Sequence, residues 1–465
     1  MMTKQCRLTL VFIASVFVTA CSNLSAYSLF SHYSQMTAES RASLVSGAYQ
    51  NALTQLPEDD GNPLLFDLEQ GRLAMLAGDV QQSFDAFQSA DEKARRLDSN
   101  PDIQISELLN TVGSALTNDN MLTYYPSDYE SGFLHLYLAL GYLQKNDLQG
   151  ALVEIRRAEG IQDRARKTRE SMLRHAETLA RENRIEENVG AVLSRYPDAG
   201  KHIQAIQNGY LYFLSGILYE STGDYNNAYI DYGRALAIAP ESKMLAQSTM
   251  RIAALQGRSG ALKKLEKRYG KYQPANKGNG RLVILSEQGV VEAKRGWDLN
   301  VWLPDGSGYL NSYNLAMPYY ANRQVNTPMP ITINGQVKNL DQIADINLMA
   351  RQALSEKLPV LIIRQIIRVI AKNEFRRALE DKDQNVGNFI GNVLNTLTEQ
   401  PDTRAWFALP ESVAIYSGFF RPQSLIIRAG NSEITAELKK GHTTIVWLSR
   451  QGDSVVHWSR TIGGL

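Results

Sequence analysis

The chain has 465 residues, of which 44% are hydrophobic, and its formal net charge at pH 7 is +1. This length and composition are ample for a buried core and favour two domains. The near-neutral charge argues against a nucleic-acid-binding protein, which usually carries a strong basic excess. Its two cysteines, Cys6 and Cys21, lie near the amino terminus, so the rest of the chain has no thiol to form a disulfide.

The first predicted element is an export signal over residues 1–20. Basic residues precede an apolar run from Leu8 to Val18, which is shorter than the about 20 residues that a membrane-spanning helix needs. Thr19 and Ala20 stand directly before Cys21, and this arrangement resembles the lipobox of bacterial lipoproteins. We therefore expect cleavage before Cys21 and acylation of that cysteine. An ordinary secretory signal that ends near a cysteine is the alternative.

The residues after Cys21 bear on which membrane receives the protein. In bacterial lipoproteins an aspartate at this point tends to retain the protein in the inner membrane, whereas this chain has Ser22 and Asn23. The sequence therefore predicts a lipid anchor in the outer membrane, with the protein on the periplasmic face. Several acyl chains on one amino terminus would give stable anchoring.

Residues 21–270 are predicted to form a helical domain of tetratricopeptide-like repeats. Three trios of small residues share one spacing, and each brackets a glycine or asparagine followed by aspartate. Small side chains let two antiparallel helices approach closely, and glycine or asparagine permits the turn between them. The predicted packing residues are Gly71, Ser83 and Ala90, then Ala139, Ala151 and Ala158, then Gly216, Ala228 and Ala235. An unrelated helical bundle is the alternative.

The distances in sequence between the trios lead to further predictions. Ser83 and Ala151 lie twice the repeat length of about 34 residues apart, which leaves room for a degenerate unit at residues 105–118. The stretch 163–195 is predicted to be a lengthened helix or an insertion, and 250–269 a capping unit. Such repeats stack into a superhelix whose concave face usually holds a peptide or a partner helix. A role as a spacer is the alternative.

After a predicted linker at residues 271–280, the composition favours a mixed α/β domain over residues 281–465. Asn334-Gly335 predicts a hairpin turn, and four β-prone segments from Leu425 onward predict an antiparallel terminal sheet. A helix is predicted to begin after Pro359. The predicted fold class is thus α+β, with an N-terminal α-helical TPR-like solenoid followed by a mixed α/β C-terminal domain with an antiparallel sheet.

A cationic stripe and a compact polar motif are the candidate sites of this second half. The stripe recurs every four residues beside an apolar face and comprises Arg364, Arg368, Lys372 and Arg376. A solvated face, or ion pairs with Glu399 and Asp402, is favoured over docking to an acidic partner or to lipid phosphates. In the motif, Arg404 is predicted to bind a carboxylate upstream while Trp406 packs into the core. This buried structural role is favoured over a ligand pocket.

Two segments resemble a family of poorly characterised outer-membrane lipoproteins that contain tetratricopeptide repeats. They are Tyr124 to Glu130 (YYPSDYE) and Thr398 to Trp406 (TEQPDTRAW), the latter followed by Leu409 and Pro410. The resemblance covers most of the mature chain, although Pro401 stands where the family pattern has alanine. Such proteins are often encoded beside a lipoprotein that resembles activators of penicillin-binding proteins. The resemblance therefore implies a cell-envelope or peptidoglycan-related role, and it assigns no catalytic residues.

The sequence favours an adaptor for protein partners in the cell envelope over an enzyme. Its six histidines are scattered without an HExxH motif, no G-x-S-x-G elbow is present, and Asp305 to Gly308 is interpreted as a turn. We expect membrane contact through Cys21, with no cofactor, metal or nucleic acid. Two alternatives are a structural component of a secretion or motility assembly and a periplasmic glycan hydrolase that uses two carboxylates.

Overall fold

The computed structural model describes residues 32–57, 62–99, 122–182, 185–195, 208–304, 310–321, 326–380 and 400–464. Cys21, the predicted export signal and the degenerate repeat predicted at residues 105–118 lie outside these ranges. Within them the first half is helical up to Tyr269 and strands dominate from Gly280 onward, so the chain has an α+β fold.

In the described part of the first half, four helical hairpins account for most residues, and each has a first and a second helix. They are α4 (Pro63–Ala77) with α5 (Val80–Asp98), α6 (Asp128–Gln144) with α7 (Leu148–Glu182), α9 (Gly209–Ser221) with α10 (Tyr225–Ile238), and α11 (Lys243–Leu255) with α12 (Ser259–Tyr269). The shorter helices are α1 (Tyr33–Met36), α2 (Ala38–Val45), α3 (Tyr49–Thr54) and α8 (Glu186–Arg195). The length of α7 confirms a lengthened helix in the charged stretch, and α11 with α12 includes the predicted capping unit.

The predicted turns close these hairpins. Gly78, Asn146 and Gly223 have φ values of 86°, 59° and 78°, a left-handed conformation that glycine and asparagine tolerate best. The aspartate after Gly78 accepts a hydrogen bond from the N–H of Gln82 at 2.9 Å, and the one after Gly223 accepts from Asn227 at 3.2 Å. Each Gly-Asp pair therefore ends one helix and caps the next.

Each trio of small residues lies in the interface of one hairpin. A β-carbon on Gly71 would lie 2.6 Å from the ring of Phe87, and one on Gly216 would lie 2.7 Å from the ring of Tyr232. The other members are buried: Ser83, Ala90, Ala139, Ala151, Ala158, Ala228 and Ala235. The two helices of a hairpin therefore approach too closely for a larger side chain at the glycine positions.

The strands described in the second half form a five-stranded sheet, a four-stranded sheet and a separate hairpin. The five-stranded sheet has the order β11 (Ser454–Gly464), β10 (His442–Gln451), β1 (Gly280–Gln288), β7 (Ser412–Phe420) and β6 (Asp341–Asp345). The four-stranded sheet has the order β5 (Gln336–Lys338), β4 (Ile331–Ile333), β8 (Ser424–Ala429) and β9 (Ser432–Glu437). Strands β2 (Arg295–Pro304) and β3 (Leu310–Tyr319) pair only with each other among these strands.

Local sequence signals predicted one turn and the terminal strands, but they missed how those strands are divided between sheets and where one helix begins. The turn at Asn334-Gly335 is confirmed, with φ values of 48° and 79°. The four terminal strands are confirmed, and β8 with β9 and β10 with β11 form antiparallel pairs. A common terminal sheet is wrong, because the two pairs belong to different sheets and β10 also pairs in parallel with the distant β1. The helix predicted to begin after Pro359 begins at Ile346 (α13, Ile346–Glu380), since Asp345 caps it by accepting the N–H of Leu348 at 2.9 Å.

One hydrophobic core crosses the predicted linker at residues 271–280. The largest apolar cluster includes Phe133 and Leu214 from the hairpins, Leu285 and Trp447 from the five-stranded sheet, and Ile362 from α13. A smaller cluster joins inward-facing residues of the five-stranded and four-stranded sheets. The chain changes from helix to strand near the linker, but the helices and the sheet are stabilised by a common core.

Candidate functional site

Two buried glutamates on neighbouring first helices hold the loop that precedes β7. Glu69 of α4 accepts the backbone N–H groups of Phe407 at 2.7 Å and Ala408 at 3.0 Å. Glu130 of α6 accepts the N–H of Trp406 at 2.8 Å. Burial raises the pKa of Glu69 well above its ordinary value, although the two backbone hydrogen bonds oppose this rise. The carboxyl groups thus satisfy three consecutive backbone donors of a segment without regular secondary structure.

Arg404 also fixes this loop to the helical half of the chain. Its Nε and Nη2 donate to the two carboxylate oxygens of Asp402 at 2.9 and 2.8 Å, a bidentate pair. Its Nη1 donates to the side-chain oxygen of Asn62 and to the carbonyl of Leu122, both at 2.7 Å. Burial alone would raise the pKa of Asp402, but the charge and hydrogen bonds of Arg404, together with the charge of Lys294, outweigh burial and lower that pKa. The guanidinium therefore joins the loop to the segments before α4 and α6.

Trp406 completes the predicted polar motif. Its indole is fully buried, and its centroid lies 5.9 Å from that of Phe87 and 5.8 Å from that of Tyr137. The structure thus brings Arg404 onto a carboxylate and the indole into the core. The carboxylate partner is Asp402, whereas Glu399 lies outside the described residues. These contacts agree with the structural role that the sequence favoured.

Glu287 of β1 accepts hydrogen bonds from both the helices and the sheet. One oxygen accepts from Arg72 of α4 at 2.5 Å. The other accepts from the hydroxyl of Tyr210 on α9 at 3.2 Å and from the indole N–H of Trp447 on β10 at 3.0 Å. The side chains of Arg72 and Glu287 have no solvent exposure. A pair buried this deeply is costly to break, because the remaining charge would have no counter-ion.

A second buried charge cluster joins three helices to β1. Glu220 of α9 accepts from Arg281 of β1 at 2.9 Å, from Arg251 of α11 at 2.6 Å and from the hydroxyl of Tyr232 on α10 at 2.8 Å. Burial, together with the nearby charge of Arg281, holds the pKa of Arg251 well below its ordinary value. One carboxylate therefore binds two guanidinium groups at the junction between the third and fourth hairpins and the sheet.

These contacts cover the row of first helices, α4, α6, α9 and α11, which we call the inner row. Helix α9 is buried on all sides from Gly209 to Glu220, whereas α12, a second helix, has no buried residue. Ser242, the residue that caps α11, donates to Asp341 of β6 at 2.7 Å. Stacked repeats usually present a concave face to a partner. The expectation of such an open face is wrong for the inner row, because this chain's own sheet and loop already occupy it.

Two carboxyl groups meet between α7 and α10. The hydroxyl of Ser215 lies 2.5 Å from an oxygen of Asp231 and 3.4 Å from one of Glu159. Burial and the neighbouring charge of Asp231 raise the pKa of Glu159 to about 7, and burial also raises the pKa of Asp231. Glu159 therefore holds its proton up to near-neutral pH beside the carboxyl group of Asp231. No pattern in the sequence marks this pair, because its members belong to different hairpins.

The predicted cationic stripe does not form a fully solvated face. Arg368 is 2% exposed and Arg364 is partly buried. Solvation is therefore wrong for Arg368, because α13 packs against α7, α8 and β3. Asp402, one of the two proposed partners of the stripe, pairs with Arg404 instead. Lys372 and Arg376 belong to α13, but their side chains lie outside the described part of the chain.

Other predicted features concern metals and membranes. In the described ranges, no group of three or more histidine, cysteine, aspartate or glutamate side chains is arranged to hold a metal ion. No helix in those ranges combines the length and apolar character needed to cross a bilayer. Cys21 and the turn interpreted at Asp305 to Gly308 lie outside them.

Comparisons with known proteins give structural likenesses that include two structures of MamA. No family model matches the chain, and no curated protein sequence matches it either. A structure of MamA AMB-1 is 13% identical, with a TM-score of 0.28, over 50% of this chain and 88% of that one. A second MamA crystal structure is 14% identical, with a TM-score of 0.27, over 52% of this chain and 95% of that one. At this level of similarity, neither the fold nor the function of this chain is inferred from these structures.

Proposed function

We propose that this protein is a lipid-anchored scaffold on the periplasmic face of the outer membrane, where it holds protein partners in a process related to peptidoglycan synthesis. The supporting observation is the fixed attachment of the repeat helices to the sheet through the buried pair of Arg72 and Glu287. A scaffold must keep its binding surfaces in a constant relation, and buried ion pairs with a common core provide that rigidity.

The partner surface is assigned to the second helices, because the inner row is occupied by the chain itself. Val153 on α7 and Ile230 on α10 stand two residues after Ala151 and Ala228, and so at the same position of their repeats. Their exposed fractions are 49% and 40%. Single exposed apolar side chains are common, but the repetition of this one across two hairpins favours a shared contact surface.

Site-specific photo-crosslinking in intact cells tests this assignment. A photoreactive amino acid is placed at Val153, at Ile230 and, as a control, at Ile426 of β8, which is 42% exposed. We expect the two helix positions to give a common envelope protein as their adduct and the control to give none. Equal adducts at all three positions, or no adduct at either helix position, would contradict a partner surface on the second helices.

The anchor is tested separately by fractionation of cells that produce the Cys21→Ser variant. Loss of the lipid site should move the protein from the outer-membrane fraction to the soluble periplasmic fraction. Retention in the membrane would contradict an anchor at Cys21.

The two alternative functions predict different observations. A fixed component of a secretion or motility assembly would give crosslinks at constant stoichiometry to the same neighbours. A glycan hydrolase needs two carboxyl groups at least about 5 Å apart.

A further inference from the structure

The five-stranded sheet has an unpaired edge on β7, beyond the end of β6. Strand β6 pairs with β7 only from Ser412 to Ile415, whereas β1 pairs with β7 along its whole length, as far as Phe420. Residues 412–415 are buried, and residues 416–420 are only half-buried. In the described part of the chain, no backbone group outside β1 hydrogen bonds to residues 416–420. We call these residues the open edge of β7.

The open edge lacks the features that usually prevent a strand from pairing with another chain. Exposed edges are commonly protected by charged side chains, proline, bulges or short strands. The open edge has the sequence Tyr-Ser-Gly-Phe-Phe, without charge or proline. The other described edges of the two sheets are protected, since β5 has three residues, β6 has a break in its register, β9 carries Glu433 and β11 carries Arg460. The backbone of the open edge is therefore a template for a further strand.

Two aromatic side chains lie on one face of the open edge. Tyr416, Gly418 and Phe420 share that face, because side chains alternate along a strand. A β-carbon on Gly418 would lie 2.7 Å from the hydroxyl oxygen of Tyr416 and 3.1 Å from the ring of Phe420. Both rings therefore extend over Gly418, and both pack partly against the smaller apolar cluster. Alternate side chains of an added strand would contact these rings, and cross-strand contacts of this kind stabilise a sheet.

Three exposed cations lie at the end of the open edge. Arg421 directly follows Phe420, the last residue of β7. The carbonyl oxygen of Lys439 is 2.5 Å from the position that a β-carbon on Gly280 would occupy, and Gly280 pairs with Phe420. Lys440 is the next residue in the chain. None of the three cations forms an ion pair with a carboxylate of the described ranges. An acidic partner would supply the complementary charge.

We propose that the open edge of β7 binds an extended acidic segment of a partner protein, which adds a strand to the five-stranded sheet. In this mode of recognition, backbone hydrogen bonds provide affinity and alternate side chains provide selectivity. The acidic residues of the segment pair with Arg421, Lys439 and Lys440. The site is separate from the second helices and from Cys21, so it goes beyond the proposed function and does not depend on it.

A synthetic peptide tests strand addition to the purified protein. The probe is a fluorescein-labelled peptide that alternates valine with glutamate over about eight residues, which is long enough to pair with the whole open edge. Fluorescence anisotropy measures its dissociation constant. One control peptide carries methyl groups on alternate backbone nitrogens, which removes hydrogen-bond donors and keeps the charge. The other has lysine in place of glutamate.

The acidic peptide should bind about tenfold more tightly than either control peptide. Equal affinity for the methylated peptide would overturn strand addition, because that peptide cannot form the full set of backbone hydrogen bonds. Equal affinity for the lysine peptide would overturn an acidic partner. No binding of the acidic peptide at concentrations up to about 1 mM would overturn both parts of the proposal.

Amide hydrogen exchange locates the bound peptide. The amides of residues 416–420 should exchange more slowly when the acidic peptide is bound, while those of β5, at the edge of the other sheet, should not change. Protection of β5 or β11 in place of residues 416–420 would overturn the assignment. Slow exchange of residues 416–420 without peptide, in a protein that dimerises, would assign the open edge to a second copy of this chain and would also overturn it.

Charge reversal tests the cations at the end of the open edge. The double variant Arg421→Glu with Lys439→Glu should weaken binding of the acidic peptide about tenfold. The control is Lys167→Glu, at an exposed lysine of α7, and it should leave the affinity unchanged. Equal affinities of the double variant and the control would remove the cations from the site. All three positions are exposed, and thermal unfolding checks that each variant is folded.

Discussion

The guanidinium of Arg72 lies 2.5 Å from the carboxylate of Glu287, with both side chains fully shielded from solvent. Arg72 belongs to the first helix of the first hairpin, and Glu287 lies on the central strand of the five-stranded sheet. This pair joins the helical half of the chain to the sheet, and its environment is completed by Tyr137, whose ring lies 4.7 Å from the guanidinium carbon of Arg72. The repeat helices therefore form one side of a core that they share with the sheet.

The first prediction concerns this ion pair. Arg72→Met leaves the buried Glu287 without a counter-ion and should lower the free energy of unfolding by about 3–5 kcal/mol. Denaturant unfolding measures the change. The control is Arg428→Met, which removes an exposed pair with Glu433 at 2.9 Å and should cost about 0–1 kcal/mol. Equal losses in the two variants would show that burial of the pair contributes little.

The second prediction concerns the close approach of α9 and α10. Gly216→Ala places a methyl group 2.7 Å from the ring of Tyr232, which is fully buried and hydrogen bonded to Glu220. Because the ring has little room to move, we expect a loss of about 1–3 kcal/mol in thermal or denaturant unfolding.

Gly233 supplies the matched control for that substitution. It lies within α10, and a β-carbon there would meet no atom within 4 Å. Gly233→Ala should stabilise the protein by about 0.5–1 kcal/mol, since alanine restricts the unfolded chain more than glycine does. Similar effects of the two alanines would contradict tight packing at Gly216.

The third prediction concerns pH. The pKa of Glu159 is raised from 4.5 to about 7 in the folded protein, where Asp231, Arg234 and Ser215 surround it. The folded state thus binds a proton more tightly than the unfolded state does. The resulting stabilisation is fully present below pH 4.5 and is lost as the pH rises through 7.

The Glu159→Gln variant isolates this contribution. Its glutamine does not titrate, so the difference in unfolding free energy between wild type and variant should change in favour of the variant from pH 4.5 to pH 8. Parallel profiles for the two proteins would mean that the pKa of Glu159 is close to its ordinary value. Chemical denaturation at a series of pH values gives both profiles.

Local features of the sequence predict the helical hairpins and the turns, because those elements depend on residues close together in the chain. The spacing of small residues and the Gly78-Asp79 pair are of this kind. The pairing of β10 with β1 and the contact of Glu69 with Phe407 depend on residues far apart, and no periodic pattern marks them. The sequence does not predict that the sheet and the loop cover the inner row, for the same reason. A helix that contacts a sheet has the same apolar pattern as one that contacts a peptide.

The final prediction concerns the clamp on the loop before β7. Glu69→Gln keeps the size of the side chain but leaves one oxygen to accept the two N–H groups of Phe407 and Ala408. A buried donor without a partner costs about 1–3 kcal/mol, so we expect a loss of stability in that range. Glu39→Gln, at an exposed glutamate of α2, is the control and should change stability by less than about 0.5 kcal/mol.

Amide hydrogen exchange distinguishes a local clamp from a general weakening of the fold. If Glu69 acts by holding the loop, the amides of Phe407 and Ala408 should exchange faster in Glu69→Gln, while those of β1 keep their protection. The amide of Trp406 reports on the neighbouring clamp, because it donates to Glu130 and should be affected less. Uniform acceleration across β1 and the loop would instead assign Glu69 to the global stability of the core, and unchanged exchange at Phe407 would remove it from the clamp altogether.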